Sequence, residues 1–95
     1  MMLGNRLKEL RETNGYVQRE VAALLHVDTA FISKTEKGEK LLNEIHLKPL
    51  AKFYKVSESE LKSIWLADRI LKIVDKSNET ANALKIVEKY FNSNK

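Results

Sequence analysis

Gln18-Arg19-Glu20-Val21-Ala22-Ala23-Leu24-Leu25-His26-Val27-Asp28-Thr29-Ala30-Phe31-Ile32-Ser33-Lys34-Thr35 is the stretch on which the fold turns. Val21, Ala22, Leu24 and Leu25 recur at the three- and four-residue steps of one helix face, which predicts a short helix over 18–25 ended by His26-Val27. Asp28 then has the place and the chemistry of an N-cap. Its carboxylate can accept from the free backbone N–H groups that open a second short helix over 29–36, and Gly38 closes that helix. Val21, Leu25, Val27 and Ile32 become the inward positions of two helices crossing steeply over a very tight turn. Ala22 falls where the two come closest, and His26 sits in the turn.

Upstream, Leu3, Leu7 and Leu10 form one stripe and Asn14-Gly15 supplies a stop, so a first helix is expected over about 3–14. Downstream, 39–43 reads as a loop, after which Asn43 can cap a helix carrying Leu47, Leu50, Ala51 and Tyr54. Pro49 in a helix interior would remove a hydrogen bond, so a kink or a late start with Pro49 in the first turn is expected. Ser57 and Glu60 have the reciprocal spacing of a capping box ahead of a long helix over about 58–75, with Leu61, Ile64, Trp65, Leu71 and Val74 on its apolar side. Asp75-Lys76-Ser77-Asn78 interrupts. Ala83, Leu84, Val87, Tyr90 and Phe91 mark a last helix before a polar tail, Asn92 to Lys95. Nowhere do β-branched residues alternate with polar ones over a strand length, so the fold class is all-α.

Ninety-five residues leave room for one small domain with an appendage. Charged residues at 32% and hydrophobic ones at 43% give a folded rather than a disordered balance, and no apolar run approaches the ~20 residues that span a bilayer. Met1-Met2-Leu3-Gly4-Asn5-Arg6 has no secretory pattern, so a cytoplasmic chain is expected. Cysteine is absent, and His26 and His46 stand alone without metal-ligand spacing, so neither a metal nor another cofactor is expected. Seventeen Lys and Arg against thirteen Asp and Glu give +4, with the excess before residue 56, which leans toward a polyanionic partner. No nucleophile–base grouping or phosphate-cradling glycine loop argues for an enzyme.

The crossing of the two short helices is helix-turn-helix spacing. Leu7-Lys8-Glu9-Leu10-Arg11, Gln18-Arg19-Glu20-Val21-Ala22, Ile32-Ser33-Lys34-Thr35-Glu36-Lys37-Gly38 and Leu50-Ala51-Lys52 stand in the order and spacing of the Cro/repressor, or XRE, family, which the chain resembles over about residues 3–66. The resemblance implies a five-helix, repressor-like DNA-binding domain at 1–66 and a C-terminal helical extension at 67–95. It also implies that Arg11 and Glu36 are a structural ion pair tying the first helix to the end of the third. Three departures touch local geometry. His26 replaces the usual turn glycine and would need a positive φ, Val17 replaces the Ser or Thr that caps the second helix, and Leu42 and Pro49 depart around the fourth.

With the third helix in a major groove, its exposed N-terminal residues must meet base edges. Those are Thr29, Ala30, Phe31, Ser33 and Lys34, with Ile32 turned inward. Lys34 can donate to guanine, Thr29 and Ser33 can pair with several bases, and Ala30 or Phe31 can touch thymine methyls. For Phe31, packing on the second helix is an equal reading. Gln18, Arg19, Lys37, Lys40 and Arg6 are the phosphate candidates. Trp65 reads as core.

So short a reading helix discriminates few base pairs, which implies a homodimer on inverted half-sites of double-stranded DNA. Ile64, Leu71 and Val74 with Leu84, Val87 and Phe91 form the apolar stripes expected to hold it, unless the last helix folds back on its own protomer. Trp65-Leu66-Ala67-Asp68-Arg69-Ile70 and the following helix are more loosely similar to small regulators beside restriction–modification genes. The function expected is transcriptional regulation through an operator, as repressor or activator. The alternative is an antitoxin-like module whose C-terminal helices engage a protein partner.

Overall fold

The computed structural model describes residues 1–74 and 77–93. Among them every regular element is helical: α1 (Met2–Thr13), α2 (Gln18–Leu25), α3 (Thr29–Glu36), α4 (Leu47–Tyr54), α5 (Glu58–Ile73) and α6 (Thr80–Ser93), with one 3₁₀ turn, Glu44–His46, ahead of α4. α2 and α3 have the bounds their sequence predicts. Asp75 and Lys76, where a break is expected, and Asn94 and Lys95 of the expected tail lie outside the described residues.

The first four helices end alike, with an N–H two or three places beyond the helix reaching back five residues. Tyr16 donates to Arg11 O, Val27 to Ala22 O, Glu39 to Lys34 O and Val56 to Ala51 O, at 2.8–3.0 Å. Each closure needs one residue in the left-handed region. Gly15 and Gly38 supply it after α1 and α3, whereas α2 and α4 use His26 and Lys55, both at φ 57°. The positive φ expected of His26 is present, and Lys55 is a second such position that its sequence does not mark.

The helix starts differ from expectation in two places. Val17 leaves α2 without a side-chain cap, yet Glu20 Oε1 accepts the Val17 N–H at 2.9 Å, so half of a capping box survives. The Ser57–Glu60 box is also halved. Ser57 Oγ accepts from Glu60 N at 3.2 Å, but Glu60 Oε2 is taken by Arg6 Nε, also at 3.2 Å, and the reciprocal bond is not made. Asn43 opens the 3₁₀ turn rather than α4, through its carbonyl and not its side chain. Pro49 is the third residue of α4, in the first turn, where its missing N–H breaks no bond.

Leu3, Leu7, Val21, Ile32, Leu50 and Leu61 bring α1 to α5 into one core. α1 lies against the end of α3 with no side chain between them: a Cβ on Gly4 would collide with the Thr35 carbonyl oxygen and stand 3.0 Å from that of Glu36. α5 holds two other parts in place. Trp65 Nε1 donates to Leu42 O at 2.6 Å, fixing the loop after α3. Asp68, 1% exposed, accepts from Met2 N at 3.0 Å and Leu3 N at 2.9 Å, closing the N-terminus of α1. A division between residues 66 and 67 therefore falls inside α5, ahead of a side chain that α1 depends on.

α6 buries none of its residues. The radius of gyration is 15.4 Å, against about 12 Å for a compact chain of this length, because this last helix stands off the body.

Candidate nucleic-acid interface

Two local features orient α3. Asp28 Oδ1 accepts the Phe31 N–H at 2.7 Å and starts the helix cleanly, and Ile32, 4% exposed, anchors its inner side. Thr29, Ala30 and Lys34 face solvent while Phe31 and Ser33 are half-buried. The far end is held by Glu36, whose side chain is 6% exposed. Arg11 meets it with one guanidinium edge, Nε to Oε2 at 2.8 Å and Nη2 to Oε1 at 3.1 Å, and Arg11 Nη1 donates to Tyr16 O at 3.0 Å. The bonds to Glu36 raise the Arg11 pKa above its already high ordinary value, so the guanidinium stays charged. Burial first, and the Glu36 charge second, push the neighbouring Tyr54 phenol up to about 12.

Ala30, Phe31, Lys34 and Lys40 come together with Val27 and Asp28 around one open depression of about 340 Å³. Phe31 packs on the core and turns its ring toward His46, with centroids 5.6 Å apart at 71°, so its packing partner includes the turn before α4 as well as the helical core. Lys40 Nζ lies 4.8 Å from the centre of the same ring. His46 Nδ1 is buried without a hydrogen-bond partner, and desolvation lowers the imidazole pKa from its usual 6.5, which keeps the ring neutral.

The phosphate candidates separate. Arg19, Lys37 and Lys40 are exposed and make no ion pair among the described residues. Gln18 Nε2 donates to Glu36 Oε1 at 3.1 Å, which pins it at the joint of α2 and α3 and leaves one amide hydrogen for an outside acceptor. Arg6 is already engaged. It pairs with Glu9 at 2.7 Å and Glu60 at 3.2 Å, so its guanidinium already serves the joint between α1 and α5, and a phosphate would have to displace two carboxylates.

The C-terminal stripes separate too. Ile64 is half-buried and packs on its own core. Val74, Leu84 and Val87 line one hollow of about 270 Å³ within the chain, while Leu71 and Phe91 are 54% and 66% exposed. Sequence reading missed Asp68, although its signal was present: Leu61, Trp65 and Asp68 continue one helix face at steps of four and three. No helix among the described residues is long and apolar enough to cross a membrane.

A family model described as a helix-turn-helix domain matches residues 2–64. A solved structure, the restriction-modification controller protein C.AhdI from Aeromonas hydrophila, is 29% identical, with a TM-score of 0.56, covering 62% of this chain and 89% of its own. No curated protein matches.

Proposed function

The chain belongs to the helix-turn-helix domain family, and from that premise we propose that it is a sequence-specific transcriptional regulator binding an inverted-repeat operator as a homodimer, with α3 in the major groove. One observation carries this reading. α3 is capped by Asp28, anchored by Ile32 and clamped by Glu36, so it presents Thr29, Ala30, Ser33 and Lys34 from a fixed helix, beside the unpaired cations Arg19, Lys37 and Lys40. Rigid placement lets a side chain discriminate base edges, and flanking cations supply backbone affinity. Likeness to a restriction-modification controller supports a regulated target of that kind.

The test is selection of bound duplexes from a randomised DNA pool by the purified protein. An inverted repeat with half-site centres about 34 Å apart is the expected product. Recovery of no motif at modest salt overturns the operator reading. The exposed stripe on α6 supports a second reading, an antitoxin-like module whose C-terminal helices hold another protein. Sedimentation of the isolated chain separates the two: the operator reading expects a dimer, and the second a monomer awaiting its partner.

A further inference from the structure

We propose that the depression on α3 is a receptor for the 5-methyl group of a pyrimidine presented in the major groove. This rests on the helix-turn-helix reading of α3 and names what one part of that helix reads. Its lining sets the Phe31 ring, Val27 and Ala30 beside Lys34, Lys40 and Asp28, so an aromatic surface stands among polar groups. The ring has two neighbours that hold its place, the Lys40 ammonium at 4.8 Å from its centre and the His46 ring with centroids 5.6 Å apart. His46 has no partner for its buried Nδ1, and desolvation keeps that imidazole neutral beside the ring.

On the major-groove edges of the four base pairs the 5-methyl is the only apolar group, and every other feature is a donor or an acceptor. A donor or acceptor pressed on the Phe31 ring would lose water and gain no hydrogen bond from it, so the ring favours a methyl over a polar group. Two pyrimidines carry the methyl. Thymine sets it beside the O4 acceptor, which suits the lysines, and 5-methylcytosine sets it beside the N4 donor, which suits the Asp28 carboxylate.

The test titrates the full-length protein against duplexes carrying the selected operator. Each thymine is replaced in turn by uracil, which removes the methyl alone, and each cytosine in turn by 5-methylcytosine. Binding is expected to change about fourfold at one position per half-site, the worth of one buried methyl. A loss on uracil substitution identifies thymine, and a gain on methylation identifies 5-methylcytosine. In either case Phe31→Ala should erase the discrimination and Phe31→Leu should keep most of it, with thermal melts confirming that both variants fold. Specific binding that ignores the methyl at every position overturns the proposal even if the variants fail to fold, because that arm uses the unaltered protein. Absence of specific binding to any duplex instead overturns the operator reading beneath it.

Discussion

Glu36 accepts from three side-chain N–H groups on two other segments, two from Arg11 and one from Gln18, which makes it the residue whose loss reaches furthest. Arg11→Ala would leave this carboxylate buried and short of its counter-charge, and a loss of about 3 kcal/mol in denaturant unfolding is expected. Glu36→Gln should also let Tyr54 ionise at lower pH than about 12, which ultraviolet titration of the phenol would show. His46 gives the opposite sign of pH dependence from a paired cation. Its folded pKa is depressed, so the unfolded chain binds the proton first, and stability should fall as pH drops below about 6.5. Unfolding midpoints over that range should lose this slope in His46→Phe. Gly4→Ala drives a methyl into the Thr35 carbonyl, and about 1–3 kcal/mol of destabilisation is expected from that overpacking. For reading itself, Lys34→Ala should cost about 1–3 kcal/mol and relax preference at one or two base pairs, whereas Lys37→Ala should weaken all sequences alike. Equal losses irrespective of sequence would refute the assignment of Lys34.

At the scale of the helix, two ends store strain that could be released. His26 and Lys55 hold left-handed backbone at roughly 1–2 kcal/mol each. Part of any gain from glycine is lost to the freer unfolded chain, so His26→Gly and Lys55→Gly should each raise the melting temperature modestly, and additively since they end different helices. Of these two ends, His26 was legible because the family that the chain resembles carries glycine at that turn. Lys55 was not, since a lysine before Val56 carries no local signature. The bounds of α2 and α3 were readable from apolar spacing and from Asp28 alone. The fates of Arg6 and Glu60 were not, because their partnership spans 54 residues and depends on how α1 meets α5. For the reading face, exposure of Thr29, Ala30 and Lys34 followed from helical period. The setting of Phe31 against Lys40 and His46 needed the loop and the 3₁₀ turn to be placed first.

Over the whole molecule, the contrast is between a body knit by α1 to α5 and a helix that contributes nothing to that core. A chain stopped after residue 77 should therefore melt close to the full chain at concentrations where both are monomeric. In sedimentation it should lose self-association if α6 carries the dimer, with weaker operator binding as the consequence. An unchanged dimer would move the interface to Leu66, Ile70, Leu71 and Ile73, the exposed apolar residues of α5. Affinity for the operator should fall steeply with salt for a dimer neutralising about 6–10 phosphates, and a flat response would count against DNA as the partner.

The bonds from Met2 and Leu3 to Asp68 cross 66 and 65 residues. A ribosome delivers the N-terminus first, so the earliest helix to emerge is among the last to receive its terminal acceptor. α3 rests on that helix through the bare backbone at Gly4 and must wait with it. A nascent chain therefore completes α3 only after Asp68 has been added, and products that stop short of that residue would lack the support on which α3 rests.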